Sequence, residues 1–150
     1  MEFKNSDIRK TILGEHEVLR ARMRELQQAL VGLEGVPAGV PPTLSSALQG
    51  FLEEFLRHIA HEEAILRPVL AHIDAWAQER VRSMDAEHAE QRQRLMELSR
   101  VDPAADPRGF VARVRETLEW IRDDMAGEEK GVLSPDLLRD DIIILDTFGG

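Results

Sequence analysis

The sequence predicts an all-α protein, an up-down-up-down four-helix bundle. Three observations carry this reading. Four stretches space their apolar residues by three and four, the period of a single helix face. Recognisable breaks, each containing proline, separate the stretches. Each stretch also carries at least one ionisable residue on the face that ought to be buried. The only strand-like segment is IIIL, Ile142 to Leu145, and no tandem repeat is present.

The first helix is predicted from about Asp7 to Leu33, with Ile8, Ile12, Leu19, Met23, Leu26, Leu30 and Leu33 inward. It ends in GLEGVPAGVPP, which cannot continue a helix. Thr43 is the candidate N-cap of the second helix, whose stripe reads Leu44, Leu48, Phe51, Phe55, then Ile65 and Val69. Pro68 should kink or end it. The third runs from near Asp74 to about Ser99, with Trp76, Val81, Met84, Leu95 and Leu98 inward. In the fourth, Asp106 caps and Pro107 takes the first turn. Its stripe is Phe110, Val114, Thr117 and Ile121, flanked by Val111, Leu118 and Met125, and it should stop near Ser134–Pro135.

The 150 residues suit one domain, 1–150, with the bundle over about 7–135 and a tail over 136–150. A net charge of −9 argues against a general grip on nucleic acid or an anionic membrane. No apolar run approaches the roughly 20 residues that span a bilayer. The segment MEFKNSDIRK does not read as a signal peptide, so the cytoplasm is the expected location. There is no Cys, which excludes disulfides, iron–sulfur clusters, thiolate zinc sites and Cys nucleophiles. Any metal must be held by His, Asp and Glu.

The ionisable residues on the inward stripes are the candidate ligands. His16 lies between Ile12 and Leu19. His58 and Glu62 lie between Phe55 and Ile65. His88, with Gln91, lies between Met84 and Leu95, and Asp124 and Glu128 follow Ile121. Unpaired buried charges cost several kcal/mol each, in rough terms. Six would unfold a bundle of this size unless cations compensate them. Residues four apart sit one above the other on a helix, so His58 with Glu62, and Asp124 with Glu128, can each reach one centre. A sulfur-free His/carboxylate set suits iron, with manganese or zinc as alternatives. His61 is a candidate extra ligand or rim group, or else a surface residue. Glu17, Glu63 and Glu129 adjoin proposed ligands and should face solvent or support them. Asp123 should be solvated, and His72 should sit at a helix end, where the dipole favours a cation.

These pieces resemble the hemerythrin/HHE cation-binding domains. FLRHIAHEEAILRPVL is similar to that family's His-x3-Glu helix, and EWIRDDMAGEEKGVLSP to its fourth-helix segment. LGEHEVLRARMREL and DAEHAEQRQRLMEL resemble its single-His helices. The resemblance covers roughly 8–135. It implies a four-helix bundle holding two non-haem iron ions through His16, His58, Glu62, His88, Asp124 and Glu128. Asp124 departs from the family pattern, which has a His there, and by its charge favours a ferric centre over reversible oxygen release. The resemblance implies a protein that binds or senses oxygen, nitric oxide or peroxide. The alternatives are a di-iron oxidoreductase consuming such molecules, or a degenerate bundle used as an interaction module. No electron-donor motif or substrate pocket is legible, so an enzyme is the less favoured reading. The partner is then a small diatomic ligand or peroxide. The apolar tail DIIILDTFGG needs cover from the bundle or from a second copy in a homo-oligomer.

Overall fold

A computed structural model describes residues 4–33 and 39–141. It contains four α-helices: α1 (Asn5–Val31), α2 (Pro42–Leu70), α3 (Ala77–Ser99) and α4 (Pro107–Lys130). No strand occurs among the described residues, and the segment Ile142 to Leu145 lies outside them. The helices pack in a ring: α1 lies against α2 and α4, and α3 against the same two. Short connections reverse the chain between neighbours, the arrangement of an up-down-up-down bundle.

Local chemistry explains the helix ends. Asp106 caps α4 by accepting from the Gly109 N–H at 3.0 Å, with Pro107 in the first turn. Thr43, by contrast, is not a cap. Pro41 holds the N-cap position, Pro42 opens the helix, and no side chain caps it. The fixed φ of proline sets that start instead. Asp74 does not start α3 either. It caps a tight turn, accepting from the Trp76 N–H at 2.9 Å, and the helix begins at Ala77. Pro68 lies inside α2, which continues only to Leu70. The fourth helix ends at Lys130, short of Ser134–Pro135. There the Gly131 N–H donates to the Gly127 and Glu128 carbonyls, and the Leu133 N–H also donates to Glu128.

The core is split in two. One apolar cluster includes Leu19, Met23, Phe51, Phe55, Leu95, Phe110 and Ile121. The other joins Ile8, Ile12, Leu66, Leu70, Met84, Leu133 and Leu138. Leu66 and Leu70, not Ile65 and Val69, are the buried continuation of α2. Counting from Phe55, seven residues reach Glu62 and eleven reach Leu66, whereas ten turn Ile65 toward the edge. Trp76 is 68% exposed rather than inward, because it precedes the helix instead of lying on its inner face. Thr117 is half-buried, its hydroxyl donates to the Arg113 carbonyl, and Leu118 fills the core beside it.

Residues after α4 close one end of the bundle. Arg9 donates to the Leu133 carbonyl, Asn5 to that of Arg139, and Ser6 to the Asp140 carboxylate. Leu133 and Leu138 are thereby buried against α1. Between the two apolar clusters lies a layer of buried polar side chains.

Candidate metal centre

Every helix contributes to that polar layer at the point where its apolar stripe is interrupted. His16 follows Ile12 by one turn, His58 and Glu62 flank Ile59, His88 follows Met84, and Glu128 follows Met125. His16 is wholly buried, and His58, Glu62 and His88 are 6%, 1% and 1% exposed. One donor atom each from His16, His58, Glu62 and Glu128 falls within a group no wider than 4.8 Å. His58 Nε2 stands 3.0 Å from Glu62 Oε2. His16 Nε2 and Glu128 Oε1 approach to 3.3 Å without the alignment of a hydrogen bond. Those two atoms and Glu62 Oε1 are buried with no hydrogen-bond partner. Leaving such atoms unsatisfied costs about 1–3 kcal/mol each. A cation would satisfy all three together, and its donor set, imidazole nitrogens and carboxylate oxygens, suits a first-row divalent metal.

His88 stands just outside this group, with Nε2 3.7 Å from Glu62 Oε1. Glu62 therefore presents one oxygen toward His58 and the other toward His88. Asp124 is half-buried at the rim and accepts from Gln91 Nε2 at 3.2 Å. Asp123 beside it is exposed.

The far nitrogen of each inward imidazole is held by a carboxylate. His16 Nδ1 faces Glu129 at 3.1 Å, His88 Nδ1 faces Glu63 at 3.0 Å, and His58 Nδ1 faces Glu15 at 3.1 Å. These contacts turn all three Nε2 atoms inward. Glu129 is in turn gripped by both terminal nitrogens of Arg20, and Glu63 by those of Arg92. The third carboxylate, Glu15, instead meets His61 Nδ1 at 2.8 Å, so His61 is a half-exposed rim group. Glu17 faces solvent beside Arg20, and His72 is exposed just beyond the end of α2.

The two halves of the bundle repeat this scheme. Glu15, His16 and Arg20 on α1 match Glu87, His88 and Arg92 on α3, while His58, Glu62 and Glu63 on α2 match Asp124, Glu128 and Glu129 on α4. The supporting role of Glu15 went unread in the sequence. The signal was there: a Glu-His pair followed four residues later by Arg, present twice.

Electrostatics follow from burial and pairing. Burial opposes charge on Glu62, but hydrogen bonding with His58 and His88 prevails and holds its carboxyl well below the usual range. Glu128, close to Glu62, is pushed up to about 7, chiefly by burial. Burial also works against charged His58 and His88, yet their contacts with Glu62 outweigh it and raise both. Glu87 is raised by burial and then by Asp124, the like charge that replaces the His of the other half. The protein without metal thus holds protons where a cation would sit.

Comparisons with known proteins agree with the geometry. Neither the curated proteins nor the solved structures give a match. The family model for the hemerythrin HHE cation binding domain matches residues 7–134, which takes in all four helices but for the first two residues of α1, and every residue of the buried polar layer. The chain belongs to the hemerythrin HHE cation-binding family.

Proposed function

We propose that this chain holds two metal ions, iron in the first instance, and binds or senses oxygen, nitric oxide or peroxide there. One ion would sit among His16, His58, Glu62 and Glu128. The second would be held by His88 and Asp124 with Glu62, whose Oε1 faces His88 Nε2 at 3.7 Å. The observation that carries this reading is the set of three buried, unpartnered donor atoms at the meeting point of the four helices. Iron at such a site supplies an electron-rich centre that a small ligand can occupy. The chain's own residues orient it: Glu15, Glu63 and Glu129 fix the imidazoles, and the apolar clusters exclude water above and below the polar layer.

No helix is long and apolar enough to cross a membrane among the described residues, and work in the cytoplasm is part of this proposal. The test is metal analysis coupled to an absorption spectrum, before and after adding nitric oxide or peroxide anaerobically. The proposal expects bound iron and a ligand-dependent spectral change. Iron without any such change would refute the sensing role, and absence of metal after mild purification would favour an interaction module. A second reading, a di-iron oxidoreductase, is favoured by the groove that opens between α3 and α4 onto Glu128. Steady-state consumption of peroxide or nitric oxide would establish it.

A further inference from the structure

We propose that small ligands reach the metal centre through the groove between α3 and α4, and that its carboxylates admit uncharged molecules over anions. This rests on the metal-centre reading and adds the chemical class of ligand that the centre meets.

The groove has a volume of about 680 Å³ and is lined by Glu79, Glu87, Asp123, Asp124 and Glu128. Arg80 is also on its wall, but its guanidinium is already paired with Asp74 at 3.0 Å. Glu79 is likewise paired with Arg82 at 3.2 Å, and Asp124 and Glu128 would be engaged by the metal, so the negative charge an approaching molecule meets is that of Glu87 and Asp123. Its floor is the centre itself: Glu128 is 7% exposed, its Oε1 has no hydrogen-bond partner, and it belongs to the group formed with His16, His58 and Glu62.

The opposite face carries a smaller groove of about 490 Å³ lined by Glu15, His58 and His61, but at the matching position a ring lies between it and the centre. There His58 stands between solvent and the centre, with Nδ1 tied to Glu15 and Nε2 turned in to Glu62. Its counterpart Asp124 is a shorter side chain, drawn aside by Gln91. The exchange of a ring for a short carboxylate does two things at once. It removes bulk from one wall, and it leaves Glu87 facing a like charge where Glu15 faces an imidazole.

A carboxylate within roughly 8 Å of the path lowers the local concentration of a monoanion about two- to threefold. Several in series multiply. Oxygen, nitric oxide and hydrogen peroxide carry no charge and are not opposed, whereas azide, nitrite and superoxide are.

The test uses the iron-loaded full chain and follows azide and nitric oxide association by stopped-flow absorption at low and high salt. The variants are Glu87→Gln with Asp123→Asn, neither of them a proposed ligand, and Glu79→Gln as the control, since Glu79 is 67% exposed and paired with Arg82, so its loss should leave the azide rate close to that of the unaltered protein. In the unaltered protein, azide association should accelerate as salt screens the groove, while nitric oxide association should not respond. Neutralising Glu87 and Asp123 should raise the low-salt azide rate about fivefold and flatten its salt dependence, with nitric oxide unchanged. A salt-independent azide rate, or an azide rate unmoved when Glu87 and Asp123 are neutralised, would overturn the proposal. So would an azide rate that instead depends on Arg57, which lies on the opposite face beside His58. Iron content, measured first in every variant, separates the two levels. A chain that binds no iron refutes the metal-centre reading, and the gate falls with it; a chain that binds iron but shows no charge selection refutes the gate alone.

Discussion

Replacing Glu129 by Ala should loosen the centre from outside, without touching any donor atom of the four-residue group. Glu129 accepts from the Nδ1 of the fully buried His16 and is held by Arg20. Its removal leaves the imidazole N–H buried and unpaired, at about 1–3 kcal/mol. The lost pair with Arg20 adds at most about 1 kcal/mol, since Arg20 and Glu129 are 20% and 22% exposed and solvent screens them. The expected destabilisation of about 1–4 kcal/mol corresponds to a fall in Tm of roughly 2–16 °C for a chain of this size. Metal affinity should drop by about 10- to 100-fold, because a free ring no longer presents Nε2 inward. The assays are urea unfolding of the metal-free protein and chelator competition for the loaded one. Glu17→Ala is the control, since Glu17 touches the same Arg20 but is 69% exposed. If Glu129→Ala behaved like Glu17→Ala in both assays, the argument that outer carboxylates orient the imidazoles would be wrong.

Three further outcomes are expected. Asp124→His should raise metal per chain under identical loading, because Glu87 stands ready to hold the new ring as Glu15 holds His58; equal metal content in both proteins would refute this. The gap in Tm between loaded and metal-free protein should widen from about pH 6 to pH 8. Glu128 is raised from its ordinary 4.5 to about 7, and His58 and His88 are raised above 6.5, so the metal-free fold loses stability as pH rises through those values. Glu62 is lowered, so its contribution is lost only in acid and does not bear on this window. A gap that narrows with rising pH would contradict the assignment of these groups. Finally, Gly109→Ala should cost about 1–2 kcal/mol, since a Cβ there would meet the Asp106 carboxylate at 2.1 Å and break the cap of α4. A urea midpoint unchanged from the parent would show that the cap carries no stability.

What the sequence disclosed and what it hid follow from the range of the interactions concerned. The cap of α4 was legible because Asp106, Pro107 and Gly109 settle it among themselves. The start of α3 was not, because Asp74 caps a turn as readily as a helix, and only packing of Ala77 and Ile73 decides which. The inward phase of α2 slipped by one residue after Glu62, where Ile65, Leu66, Val69 and Leu70 are all apolar and the pattern alone does not choose. The buried His and Glu stood out because each breaks an apolar stripe. Asp124 was legible as an interruption too, but its bond to Gln91 depends on how α3 and α4 pack. Glu63 and Glu129 were legible as neighbours of the ligands, but which imidazole each holds was not, and Glu15 went unread, because all three support an imidazole on a neighbouring helix.

The central claim is that His16, His58, Glu62 and Glu128 together hold metal. Metal per chain, measured on protein purified mildly and then loaded with ferrous iron without oxygen, tests it most directly. The unaltered chain should retain iron through gel filtration, and His58→Ala with Glu62→Gln should lose it while keeping the helical circular dichroism of the bundle. Iron retained equally by the folded double variant, or by neither protein, would contradict the account.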